Sequence, residues 1–151
     1  MSKEQNIAAT EKMGDAVNHD RLSELNQVFA RNVKDHDPAP DQGPGPEGFV
    51  KFFTGFRNAF PDLKIEVEQM VADEENVAIA YTVTGTQDGN FQGIPPTHKK
   101  IKVRGVQIAR FEAGKIVERW GSSDELGILK QIGVVPSTSP KQVPALSGKE
   151  A

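Results

Sequence analysis

The sequence predicts an α+β fold, with helices first and an antiparallel sheet after them. Three observations predict it. Apolar residues recur at helical spacing as far as Phe60, the period switches to two at Leu63, and a helical pattern returns only after Trp120. Helices gathered ahead of a run of strands cover one face of a sheet, and a sheet covered on one face curls around them.

The elements follow in order. Lys3 to Asn18 carries Ile7, Met13, Ala16 and Val17 at helical spacing, and Asn18-His19-Asp20 punctuates it. Asp20 is placed to cap a second short helix with Leu22, Leu25, Val28 and Phe29. The Pro/Gly-rich stretch RNVKDHDPAPDQGPGPEG reads as a connection, extended at Asp37-Pro38. Pro46 suits the first turn of a third helix, in which Phe49, Phe52, Phe53, Phe56 and Phe60 form one stripe. Four strands then follow. Leu63, Ile65 and Val67 alternate with charged residues, and Val77, Ile79, Tyr81 and Val83 with small or hydroxyl ones. IKVRGVQIARF and KIVERW are joined by the tight turn Glu112 to Lys115. DELGILKQIG closes the domain as a helix ended by Gly133. The expected domain is 1–135, with 136–151 a flexible Pro/Ser/Lys-rich tail.

Composition narrows the class. The chain has 151 residues, 36% hydrophobic and 26% charged, a soluble globular balance. No apolar run approaches the roughly 20 residues of a membrane helix, and the N-terminal stretch lacks the apolar core of a secretory signal. A net charge of −3 gives no reason to expect nucleic acid. The absence of cysteine removes disulfides and thiol nucleophiles and is compatible with a cytoplasmic location.

Several motifs fail on inspection. GPGPEG at Gly43 to Gly48 matches a dinucleotide loop in letters only, because two positions are prolines without N–H and no strand precedes it. Asp35-His36-Asp37 lacks the companion histidines of a metal site, so no metal is expected. Lys100, Lys102 and Arg104 alternate on one strand face, which suits solvent.

Four pieces occur in one order: HDP at His36, GPEG running into the phenylalanine helix and FPDL, GTQDGNFQGIPPT, and RFEAGKIVERW with Asp124, Gly127 and Gly133 beyond it. Together they resemble the SnoaL-like polyketide cyclases, or ester cyclases, a branch of the nuclear transport factor 2-like superfamily. The resemblance spans residues 5–134. It implies a cystatin-like cone, with a strongly curved antiparallel sheet around the N-terminal helices and an internal pocket. It also implies intramolecular aldol closure of a polyketide ester, no organic cofactor or metal, and one aspartate as acid and base. On the W-x-x-x-D pattern that aspartate falls on Asp124. Homodimers or homotetramers formed through the sheet are implied as well. The chain departs from the family at His98, Gln107 and Arg119, which leaves the substrate open.

Asp124 has two readings. Ser122-Ser123-Asp124-Glu125 fits a capping box with Ser122 as cap. Strand parity instead carries Asp124 to the side of Trp120, where an apolar hollow would raise its pKa and suit it to proton transfer. By the same parity the pocket-lining candidates are Phe53, Phe56, Tyr81, Gln107 and Trp120. His36 is either a pocket residue or an exposed loop histidine. Gln107 is either a hydrogen-bonded core residue or a ligand contact. Glu118 and Arg119 cannot both face inward, and a bulge would decide which does. Val106 and Ile108 face the other way and suit a subunit contact. The function expected is a cofactor-free cyclase or proton-transfer enzyme for a hydrophobic enolisable carbonyl compound. The alternative is a small-molecule-binding module without turnover.

Overall fold

The computed structural model describes residues 2–135, so the tail expected at 136–151 lies outside the described residues. Helix α1 (Lys3–Asn18) starts at a capping box in which Ser2 and Gln5 bond each other's backbone. A 3₁₀ turn and the short α2 (Leu25–Val28) follow, then strand β1 (Phe29–Asp35), helix α3 (Gly45–Ala59) and strands β2 (Lys64–Ala72), β3 (Asn76–Thr86), β4 (Lys100–Glu112) and β5 (Lys115–Ser123). Helix α4 (Glu125–Gln131) ends the described chain. No helix among the described residues is long and apolar enough to cross a membrane.

The α+β expectation holds, with two corrections. Asp20 does not cap the second helix; it sits at φ 56, and Arg21 precedes the 3₁₀ turn without a side-chain cap. The connection after Val28 begins as a fifth strand, β1, which pairs parallel with β5 and gives the sheet order β1-β5-β4-β3-β2. Of its seven residues only Phe29 is fully buried, so β1 lacks the apolar alternation that would mark a strand in sequence.

The other pairs are antiparallel. Ala113 and Gly114 both have positive φ, 52° and 78°, the twist a two-residue hairpin needs. Strands β3 and β4 pair in unbroken register over their whole shared length. Strand β5 does not hold its register against β4. Phe111 faces Ile116 and Arg110 faces Glu118, so Val117 is one residue too many. A bulge shifts side-chain parity by one. Ile116 is buried inside; beyond the bulge Arg119 and Gly121 face inward, while Glu118 and Trp120 face outward. Trp120, expected in the pocket wall, is 36% exposed on the outer face for this reason.

The core lies between the helices and the concave face. Phe29 stacks on Phe49 with ring centroids 3.9 Å apart, and Leu25, Val28, Phe60, Ile116 and Ile132 are fully buried around them. The β3–β4 loop is fixed by Gln87. Its buried side chain donates to the carbonyls of Gly89, Ile94 and Pro95 and accepts from the Thr97 amide and hydroxyl. This holds Phe91 against Phe56 and Phe60.

Candidate functional site

A cavity of about 410 Å³ opens between α3 and the concave face. Its apolar wall comes from the α3 stripe, Phe49, Phe52, Phe53 and Phe56, with Phe91 from the clamped loop and Ile79, Val83 and Val103 from the sheet. Phe53 and Phe56, both candidates from the sequence, are in this wall.

The polar end is built across β3, β4 and β5. Tyr81 faces Gly105, Gln107 lies between Ile79 and Gly121, and Arg119 pairs in register with Asp35 of β1. Two glycines make this arrangement possible. A Cβ on Gly105 would sit 2.5 Å from both Cζ and the hydroxyl of Tyr81, so the phenol lies over that strand. A Cβ on Gly121 would overlap Nη2 of Arg119, so the guanidinium folds along its own strand over Gly121. Gly121 is the register partner of Gln107, and Gly105 lies two residues from Gln107. The phenol and the guanidinium thus flank Gln107 from either side.

Hydrogen bonds fix the orientations. Arg119 donates from Nε to Gln107 Oε1 at 2.8 Å and from Nη1 to Asp35 Oδ1 at 3.0 Å. The Asp35 side chain is 8% exposed; it also accepts from Gln42 Nε2 and from the Asp37 amide. Because the carbonyl end of Gln107 is taken by Arg119, its NH₂ end has no acceptor among the described residues. The same holds for Nη2 of Arg119. Burial raises the Tyr81 pKa above its ordinary value, and the positive charge of Arg119 offsets part of that rise. Tyr81 is therefore a neutral phenol, and its hydroxyl has no partner among the described residues. Three donors from three strands face one end of an apolar cavity. Tyr81 and Gln107 were legible from strand parity; Arg119 waited on the bulge.

Asp37 also lines this end and accepts the Gly121 amide at 2.9 Å. Between the two aspartates, His36 turns to the outer face. Its Nε2 lies 2.7 Å from Glu118 Oε2, and its ring stacks on Trp120 with centroids 4.7 Å apart. His36 is therefore not a pocket residue. The His36 contact, with help from Arg110, holds the Glu118 carboxyl below its usual range. The Asp35-His36-Asp37 segment is clamped to β5 on alternate sides of the sheet. Among the described residues no three acidic or histidine side chains converge as a metal site.

Asp124 stands apart from the cavity. It is exposed and is itself the cap of α4, accepting the Gly127 amide at 2.8 Å; Ser122 is not the cap. The bulge moves Asp124 off the inward parity that Trp120 was expected to share, and because α4 begins at Glu125, the cap position falls on Asp124 and not on Ser122.

The model of the SnoaL-like polyketide cyclase family matches residues 7–132. None of the curated proteins matches. Among solved structures, TsrD of Streptomyces laurentii superposes with a TM-score of 0.82 at 21% identity, over 89% of this chain and 99% of that one; at this identity the likeness is one of fold. AclR of Streptomyces galilaeus, provisionally assigned as a hydroxylase, gives 0.79 at 29% identity, over 95% and 90%. IdmH of Streptomyces antibioticus, provisionally assigned as a polyketide cyclase, gives 0.74 at 28%, over 86% and 99%.

Proposed function

The chain belongs to the SnoaL-like polyketide cyclase family, and from that premise we propose that it performs acid/base chemistry on a hydrophobic enolisable carbonyl compound. The observation that carries this is the convergence of Tyr81, Gln107 and Arg119 on one end of a phenylalanine-walled cavity. Donors fixed in an apolar site stabilise a developing oxyanion without reorganising. A carbonyl oxygen against them gains negative charge as a proton leaves the neighbouring carbon.

We assign the uptake of that proton to Asp37, an exposed carboxylate at the mouth of the cavity beside the donor end. One of its oxygens is held by the Gly121 amide, and the other has no partner among the described residues. In an aldol closure the enolate carbon then attacks a second carbonyl of the same molecule. A carbon–carbon bond forms, and the proton on Asp37 passes to the new alkoxide. Closure of a polyketide ester is one reaction of this kind, and IdmH's provisional assignment as a polyketide cyclase supports the class. No step calls for a cofactor, and a cytoplasmic location suits a chain without cysteine.

The test is exchange of the methyl protons of 2-acetonaphthone in D₂O, followed by NMR. We expect catalysed exchange that falls about 10²-fold in Asp37→Asn, an ordinary loss for an acid/base group. Arg119→Gln should fall comparably, and Asp124→Asn should not. Loss in Asp124→Asn with Asp37→Asn intact would return the chemistry to the helix cap. One observation favours a binding module without turnover. Asp35, the most buried carboxylate here, is wholly engaged by Arg119, Gln42 and the Asp37 amide. Naphthone binding without exchange would support that alternative.

The same proposal extends to assembly. Val71, Val106, Ile108 and Trp120 are exposed apolar residues on the outer face, and Ala78–Ile108–Trp120 runs across three strands in register. Pairing of two copies through this face would bury them. Sedimentation should show a dimer or larger, reduced to monomer by Ile108→Asp.

A further inference from the structure

Strand β1 lies at the edge of the sheet and leads into two aspartates of the site, yet burial fixes its register poorly. Only Phe29 of its seven residues is fully buried, and its pairing with β5 is interrupted between Phe29 and Lys34. A strand without a strongly apolar face is prone to slip, and a slip of one residue turns every side chain to the other face. Here it would turn His36 into the cavity and carry Asp35 and Asp37 out of it. The backbone does not prevent this. The His36 amide donates to the Arg119 carbonyl at 2.9 Å, and a neighbouring amide would do so after a slip. Side chains must hold the register. On the inner side these are Asp35, bonded to Arg119, and Asp37, bonded to the Gly121 amide. Both are groups of the site itself. On the outer side the anchor is His36, with Nε2 2.7 Å from Glu118 Oε2 and its ring stacked on Trp120. Arg110 Nε fixes the other Glu118 oxygen at 2.9 Å. The His36 and Arg110 contacts keep the Glu118 carboxyl below its usual range, so Glu118 accepts and His36 Nε2 donates.

We propose that His36 is a positioning residue: anchored to Glu118 and Trp120 on the outer face, it fixes the register that presents Asp35 and Asp37 to the cavity. Asp35 in turn orients Arg119, so one outer-face imidazole supports both the donor end and the carboxylate beside it. The outer anchor is independent of the groups it positions, which leaves Asp37 and Arg119 free to engage a ligand without loosening the strand. Imidazole suits the task. Its flat face lies on the indole, 5° from parallel, while Nε2 reaches the carboxylate. The effect on chemistry rests on the roles given above to Asp37 and Arg119; the positioning itself does not.

The Gly121 amide reports the place of Asp37 without substrate or turnover. Its hydrogen exchange is followed by NMR against the amides of the β3–β4 ladder, which pairs in unbroken register. In His36→Ala the Gly121 amide should exchange about tenfold faster relative to that ladder, as when a hydrogen bond to a charged group is lost. Glu118→Ala should do the same, and the double variant should go no further than either single one. His36→Gln keeps an N–H donor for Glu118 and should stay within about threefold of the wild type. Proton exchange of 2-acetonaphthone should fall about tenfold or more in His36→Ala, since displacing a group from afar costs up to about 10²-fold, and should recover in His36→Gln. Gly121 exchange that rises only in step with the β3–β4 ladder would mean that His36 merely stabilises the fold, and overturns the proposal. So does a Gln variant no better than Ala. If His36→Ala does not fold, Glu118→Ala decides by the same measure, because it leaves β1 unchanged. A wild type that exchanges no naphthone protons defeats the acid/base reading, and the Gly121 amide still decides this one. Unchanged Gly121 exchange in an active enzyme defeats this inference alone.

Discussion

Strands β4 and β5 lie side by side, and both supply the site, yet only one of them discloses it. In β4 the alternation runs unbroken from Ile101 through Val103 and Gln107 to Ala109 and Phe111, all buried. The one polar residue in that series lies on the cavity. In β5 the same rule gives Ile116, Glu118 and Trp120, and it is wrong after the first. The difference is one residue, Val117. A period of two carries no memory of an inserted residue, so one bulge reverses every assignment beyond it.

The largest effect expected from this difference is in deletions. Deleting Ile108 from the regular strand throws one side of β4 onto the wrong face, putting either Gln107 and Val103 or Ala109 and Phe111 toward solvent. This should abolish cooperative folding. Deleting Val117 removes the extra residue and leaves Arg119 inward and Trp120 outward, so the chain should still unfold cooperatively. Thermal unfolding followed by circular dichroism decides. An unfolded Val117 deletion would show that the bulge does not set the parity of β5, and a folded Ile108 deletion would show that the fold does not depend on the parity of β4.

Next in size are the two glycines. In Gly105→Ala the new methyl meets the aromatic ring of Tyr81 at 2.5 Å, and the ring is packed on the cavity wall. Overpacking of this kind costs about 1–3 kcal/mol. In Gly121→Ala the methyl meets only the far end of the long Arg119 side chain, which can move aside. Its cost should stay below about 1 kcal/mol, at the expense of ligand affinity. Urea unfolding of both variants checks the order, and a larger loss for Gly121→Ala would reverse it.

These glycines also mark how far the sequence could be read. The α+β layout, the α3 phenylalanine stripe and the inward placement of Tyr81 and Gln107 follow from periodicity, because each lies in a regular element. Strand β1 was missed because Arg31, Asn32 and Lys34 interrupt any apolar pattern; its pairing with β5 comes from tertiary contacts that no local signal encodes. Gly105 and Gly121 were a usable signal. A glycine inside a strand often marks a close approach of something else, here Tyr81 of the adjacent strand at Gly105 and Arg119 of the same strand at Gly121. His36 was legible as a candidate but not as a residue of the outer face, since that depends on its pairing with Glu118.

A smaller effect belongs to Asp124. As cap of α4 its removal in Asp124→Ala should cost about 1 kcal/mol, while Asp124→Asn, which can still accept the Gly127 amide, should cost little. A thermal melt of the two variants separates them. Equal loss in both would mean that the charge matters more than the cap.

The smallest effect is the sharpest test of whether β3 and β5 share one site. Tyr81 is the only tyrosine in the chain, so phenolate absorbance follows a single group. Burial raises its pKa, and Arg119 partly offsets the rise. The titration midpoint should therefore lie above the ordinary value of about 10. Replacing Arg119 by Gln removes the offsetting charge and should move the midpoint higher still, whereas Lys should hold it near the wild-type position. The sign for stability follows from the direction. A proton held more tightly in the folded chain contributes in full below the unfolded pKa of about 10, and that contribution is lost as the pH rises through the higher folded value. Tyr81→Phe should accordingly flatten the alkaline loss of stability. A midpoint that falls or stays unchanged in Arg119→Gln would mean that the guanidinium does not face the phenol. The three donors would then not converge on one oxygen, whatever the parity of β5.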